Sequence, residues 1–227
     1  MRIALHQPNY LPYLGFFDKM NKSDIFVLYD DAQFSKSDFH HRNKIRIYHG
    51  WRWLTVPVEK SRLPIKNIKI RNDFLVKDNY WFEDHFQSIM NNYEKSKYFH
   101  KYKESLQQIY SGEYDNLVDL SIALINMISS GMFTKNRIVL SSEFDLKSTG
   151  TQKIIDIVSV LDGDVYLSGP GGHSYLDTQL FEKHNIRLEF QNFHHPVYSQ
   201  CYDNFLPNMA AIDSLFNLGK LPLKGEI

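Results

Sequence analysis

Short apolar runs bounded by turn formers alternate along this chain with stretches of helical periodicity. Residues 3–7 and 25–30 read as buried strands, carried by Ile3-Ala4-Leu5 and by Ile25-Phe26-Val27-Leu28-Tyr29. Between them, residues 13–21 place Phe16, Phe17 and Met20 at helical spacing, which makes a β-α-β opening. Residues 53–58 and 65–70 are expected as further strands, with Pro57 putting the first at an edge or a strand end. The middle, about 78–132, is helical: Trp81, His85, Ile89 and Tyr93 recur every fourth residue, Tyr98, Tyr102, Leu106 and Ile109 continue, and Leu117, Leu120, Leu124 and Ile128 form a third stripe before Gly131. Strand character returns at 138–140, 164–167 and 186–190, with helices expected at 150–161 and 176–184 and a loop at 168–172. Strands joined by helical crossovers pair in parallel. The expected fold is α/β, a mostly parallel open sheet in a single domain over 1–227, with a helical insertion at about 78–132.

Composition narrows the class. The hydrophobic share of 43% and charged share of 23% suit an ordinary globular protein. Lys+Arg 26 and Asp+Glu 26 cancel, so no global field favours DNA or an anionic membrane. One cysteine, Cys201, excludes an internal disulfide and a Cys-clustered zinc site, and reads as a small buried residue. No apolar run approaches the ~20 residues needed to span a bilayer, and the amino terminus lacks a signal pattern. A cytoplasmic protein is expected.

Chemistry concentrates where predicted strands end, which in open α/β sheets is where ligands bind. After the first strand come His6, Gln7, Asn9, Tyr10 and Tyr13, in a turn stiffened by Pro8 and Pro12 and followed by Gly15. A histidine there can act as acid, base or donor near neutral pH, and the helix start beyond it can hold a phosphate. After the second strand, Asp30 and Asp31 suit a general base, ligands for hydrated magnesium, or acceptors for sugar hydroxyls. Gln33, Lys36, Arg42 and Asn43 follow, with Arg42 able to grip a phosphate bidentately. The segment Tyr166-Leu167-Ser168-Gly169-Pro170-Gly171-Gly172-His173-Ser174-Tyr175 is either an anion nest or a tight turn needing positive φ. In the strand-like 193–200, His194 and His195 point to opposite faces, so at most one serves a given site and no metal site is expected.

These blocks together resemble the WbqC-like family of bacterial surface-polysaccharide proteins. The resemblance rests on His6-Gln7-Pro8-Asn9-Tyr10-Leu11-Pro12 with Gly15-Phe16-Phe17, Ser23-Asp24-Ile25-Phe26-Val27, Asp30-Asp31-Ala32-Gln33-Phe34, Arg42-Asn43-Lys44-Ile45, Trp53-Leu54-Thr55-Val56-Pro57-Val58, Tyr166-Leu167-Ser168-Gly169, and His195-Pro196-Val197-Tyr198 with Gln200. It covers nearly the whole chain. It implies tailoring of nucleotide-linked amino sugars for O-antigen or similar polysaccharide, by N-acyl or aminoacyl transfer. The opening also resembles the nucleotidyltransferase or Rossmann-like fold, but Gln7-Pro8-Asn9 after His6 departs from the His-x-Gly-His signature.

The expected roles follow. His6 removes a proton as the sugar amine attacks, with Asp30 orienting it or serving as alternative base. Oxyanion donors are backbone N–H groups of the glycine loop or Asn43. Arg42 and Lys36 hold the pyrophosphate, and Tyr10, Tyr13 or Tyr175 stacks on base or sugar. Gln7, Asn9, Gln33, Ser168, Gly169, Gly171, Gly172 and His195 complete the binding set. No tightly bound cofactor is expected; the partner is an activated acyl donor, a thioester, a transfer-RNA ester or an acyl phosphate. The rival readings are an NTP-dependent adenylating or nucleotidyl-transferring enzyme and a non-catalytic sugar-nucleotide binder. The apolar stripes of the middle suit a cap over the site or a homodimer surface.

Overall fold

The computed structural model describes residues 1–59, 62–132 and 137–223. In chain order the elements are β1 (Arg2–His6), α1 (Leu14–Asn21), β2 (Ile25–Leu28), β3 (Arg42–Ile47), β4 (Gly50–Thr55), β5 (Leu75–Val76), β6 (Asn79–Tyr80), α2 (Trp81–Tyr93), α3 (Phe99–Tyr110) and α4 (Leu117–Ser129). There follow β7 (Arg137–Leu140), α5 (Gly150–Val160), β8 (Val165–Ser168), α6 (Thr178–Lys183), β9 (Arg187–Phe190) and α7 (Ile212–Leu218). Five strands form one parallel sheet in the order β7-β2-β1-β8-β9. This is an open, Rossmann-like α/β arrangement.

Alternation along the strands sorts the core into two layers. Ile3 and Leu5 of β1, with Ile25 and Val27 of β2, face α5 and α6 through Ile155, Val158 and Phe181. Ala4, Phe26 and Leu28 face the other way and join α1, the three middle helices and α7 in a second cluster containing Phe16, Phe17, Tyr93, Leu124 and Phe216. The strands are apolar on both faces because both faces are covered. The three apolar stripes of the middle become α2, α3 and α4, all packed into that second cluster. Among the described residues no helix is long and apolar enough to cross a membrane.

Three strand expectations are corrected. Residues 65–70 form no strand: Ile65–Asn67 is a single 3-10 turn after Pro64, and Ile65 and Ile68 are both buried at the three-residue spacing of that turn. The strand expected at 53–58 is Gly50–Thr55, and it pairs antiparallel with β3, so Arg42 and Asn43 lie in a hairpin strand and not in a loop. Pro57 falls just beyond its end. The segment 193–200 is irregular, with no strand.

Strand order decides where a ligand fits. The chain leaves β1 for β2 on one side, and only after β7 does it cross back to place β8 on the other. The chain therefore leaves β1 and β8 toward opposite faces of the sheet, through α1 and α6, which opens a crevice at that switch point.

Candidate functional site

A cleft of ≈ 570 Å³ occupies this crevice. β1 delivers His6 and Gln7 to it, α1 delivers Lys19, and the start of α5 contributes Gly150 and Thr151. The exit of β8 supplies Gly169, Gly171 and Gly172, while Tyr13, Tyr29, Tyr166 and Tyr175 add phenol rings. Seven residues singled out from sequence thus share one cleft: His6, Gln7, Tyr13, Gly169, Gly171, Gly172 and Tyr175.

Hydrogen bonding fixes the state of His6 and Gln7. The Nδ1 atom of His6 lies 2.9 Å from the Gln7 carbonyl, which can only accept, so Nδ1 carries the proton and Nε2 offers a lone pair. His6 is driven to about 3 by desolvation first, then by the charge of Lys19, with a smaller contribution from His40, so its ring is neutral at physiological pH. Its edge is held by Phe16, ring to ring at 4.8 Å. Gln7 is oriented by a second deduction. The Ser35 N–H donates to Nδ1 of His40 at 3.1 Å, so the proton of His40 sits on Nε2 and donates to Oε1 of Gln7 at 3.0 Å. The amide NH2 of Gln7 is then the end left over, on a residue that lines the cleft.

Lys19 is the residue that sequence reasoning missed. It is only 4% exposed, and its Nζ donates to the Leu5 carbonyl. Burial alone lowers it to about 7. Its one signal in the sequence was a lysine on the buried side of a helix whose neighbours are Phe16, Phe17 and Met20. Gln191 was also missed. From the cleft wall it donates to the Gly15 carbonyl at 2.8 Å and to Asp18 at 2.6 Å.

The glycine turn is a 3-10 turn, Pro170–Ser174, and none of its glycines has positive φ. Gly172 is required for space, since a Cβ there would strike Oγ of Ser168. Gly171 faces open room, with nothing within 4 Å of a built Cβ.

The chain matches the model of the WbqC-like protein family over residues 7–224. The chain belongs to the WbqC-like protein family. It is 32% identical over 221 residues to the uncharacterized protein Rv1507c of Mycobacterium tuberculosis, covering 96% of this chain and 94% of that protein. No solved structure matches it significantly.

Within this WbqC-like protein the remaining expected site residues are engaged elsewhere. Asp30 is buried and does not orient His6; its carboxylate accepts from Ser141 Oγ at 3.0 Å, Ser142 N–H at 3.0 Å and Ser142 Oγ at 2.7 Å. Asp31 pairs with Lys153 and accepts from Ser141. Tyr10 is sealed in the core between His85 and Tyr110 and cannot stack on a ligand. Asn43 is no oxyanion donor, because its Nδ2 donates to the Leu11 carbonyl at 2.7 Å, holding a leucine at φ 46. Asn9 is buried in the same turn.

Gln33 and Lys36 are exposed, with Gln33 donating to Leu63, and neither lines the cleft. Arg42 lies on the hairpin, over the Trp53 ring at 4.7 Å, and donates to the Ser37 carbonyl. Ser168 is buried with its Oγ on the Gly169 carbonyl. His195 sits outside the cleft, with Nδ1 on the Pro196 carbonyl and its ring stacked on Tyr198. The carboxyl-terminal motif serves architecture instead: Tyr198, Gln200 and Tyr93 all donate to the buried carboxylate of Asp213. Cys201 is pushed up to about 11 by burial and by Asp213, so it stays a thiol and a poor nucleophile.

Proposed function

We propose that this protein transfers an acyl or aminoacyl group to the free amine of a nucleotide-linked amino sugar held between the ends of β1 and β8. The observation that carries the reading is the neutral His6 ring, its Nε2 lone pair left over, in one cleft with the unclaimed amide NH2 of Gln7. The sugar amine attacks the acyl carbonyl, forming the C–N bond. The tetrahedral adduct then expels the donor's sulfur or oxygen as its bond to the acyl carbon breaks. Nε2 of His6 accepts the proton that the amine loses and returns it to the departing group. The Gln7 NH2 stands where Asn43 was expected, as a donor to the developing oxyanion. With Cys201 held as a thiol, direct attack is favoured over an acyl-enzyme route. Tyr13 and Tyr175 offer ring faces for base or sugar.

The test is mass-spectrometric detection of N-acylated product from nucleotide amino sugars and activated acyl donors. The variant His6→Ala is expected to lose ~10²–10⁴-fold in turnover while still binding the nucleotide sugar. Turnover that survives this substitution sinks the reading. Magnesium-dependent release of pyrophosphate from an NTP, in place of acylated product, would replace it with nucleotidyl transfer.

A further inference from the structure

We propose that Lys19 and the glycine turn 169–172 form an oxyanion seat that holds the phosphates of the bound ligand. The inference deepens the reading above and rests on it for the ligand's identity, though the seat itself follows from charge balance. Among the described residues lining the cleft there is no Asp or Glu, and Lys19 is the one formally charged side chain. The acid closest in sequence is already matched: Asp18 pairs with Lys22 at 3.1 Å and accepts from Gln191 at 2.6 Å. Among the described residues the partner of the Lys19 ammonium is a backbone carbonyl, that of Leu5. A buried ammonium without a counter-ion is a standing cost to the fold. A ligand that brings the anion removes that cost.

The opposite wall is shaped for such a ligand. A Cβ built on Gly169 would stand 3.8 Å from Lys19 Nζ, so the turn passes beside the ammonium with no side chain between. Gly171 presents bare backbone to open space. The start of α5 lines the same cleft at Gly150 and Thr151 and carries no side-chain cap. Several oxygens spread around one atom can meet ammonium and backbone together, which a phosphate does better than a monocarboxylate. Arg42 and Lys36 do not line this wall.

Occupancy of the seat also bears on His6. The charge of Lys19 is the second cause of the low value of His6. An anion on Lys19 offsets that charge and makes the imidazole a better base once substrate is in place. The other titratable groups lining the cleft are Tyr13, Tyr29, Tyr166 and Tyr175, all raised from their ordinary values and thus uncharged at neutral pH.

The experiment is calorimetric titration of the full chain at pH 7 with inorganic pyrophosphate and, in a separate arm, acetate. Wild type is expected to bind pyrophosphate, and Lys19→Met to bind it at least about tenfold more weakly while melting no lower than wild type. Arg42→Gln and Lys36→Gln are expected to bind as wild type does. In wild type, pyrophosphate should move the His6 imidazole titration upward by NMR, a readout that stands even if Lys19→Met fails to fold. Equal binding by Lys19→Met, loss of binding in Arg42→Gln, no binding by wild type at millimolar pyrophosphate, acetate binding as tightly as pyrophosphate, or an unmoved His6 titration would each overturn the proposal. The acyl-transfer reading fails separately. No acyl donor is present here, and His6→Ala should keep pyrophosphate binding even if no acylated product is ever found.

Discussion

The turns that leave β1 and β2 begin on adjacent strands and carry the same kinds of residue, yet they meet opposite ends. After β1, His6 and Gln7 each keep one unused polar valence on the wall of a cleft. After β2, Asp30 is bonded to Ser141 and Ser142, Asp31 to Ser141 and Lys153, and Asn43 to Leu11. Position in the sheet makes the difference. β2 lies between β1 and β7, so the exit of β7 closes over its end with two serines. β1 borders the switch point, where His40 ties down one end of the Gln7 amide and the cleft stays open beside it. A polar cluster at a strand end becomes a site only where topology leaves it open.

The largest structural effect should come from the closed turn. Asp30→Ala leaves the N–H and Oγ of Ser142 without their acceptor, while Ser141 keeps Asp31, an expected loss of about 2–4 kcal/mol. In thermal melts that is a fall of roughly 5–15 °C in Tm. His6→Ala, on the open turn, should melt within a few degrees of wild type while losing turnover. An Asp30→Ala protein that melts normally but loses ligand binding would show that the two turns have one function, and would break the contrast.

How much of this was legible in the sequence depends on the range of the determining contacts. β1, α1 and β2 were visible because their patterns are local: an apolar run, a helical stripe, a second run. Residues 65–70 read as a strand because Ile68 and Ile70 flank Lys69 in an apolar-polar alternation, while Pro64 and the burial of Ile65 and Ile68 set a 3-10 turn. The convergence of His6 with Gly169–Gly172 was legible from the strand-end rule alone. The fate of Asp30 was not, because its partners lie 111 and 112 residues away. Lys19 stayed hidden for a related reason. A lysine in a helix ordinarily reaches water, and only the packing of α1 against β1 and β8 denies it that.

A second effect, spread over both halves of the comparison, is acid lability. His6, His41 and His85 are held neutral mainly by desolvation, at about 3, about 4 and about 3. These folded values lie below the unfolded value near 6.5, so as pH falls the unfolded chain takes up protons first. The stability from keeping the rings neutral is complete above about pH 6.5 and is lost progressively toward pH 4 to 3. Each ring adds up to about 1.4 kcal/mol per pH unit to that slope. Urea melts between pH 4 and 7 should show stability rising with pH. In His85→Gln, which removes the ring hydrogen-bonded to Tyr10, the slope should be shallower.

The smallest effect is expected where sequence first placed the phosphate grip. Arg42 covers the Trp53 ring and donates to Ser37 on the hairpin, while Lys36 is exposed. Arg42 is half-buried on the hairpin, away from the cleft, and an exposed cation such as Lys36 contributes little because solvent screens it. Arg42→Ala should cost less than about 1 kcal/mol, most of it from uncovering Trp53, and Lys36→Ala still less. Intrinsic tryptophan emission should report the uncovering directly, while turnover stays within about twofold of wild type. If Arg42→Ala instead abolished turnover at unchanged stability, the hairpin would have to reach the cleft in the working protein. The two turns would then act on one ligand, and the closed state of the second would be a resting arrangement that substrate opens.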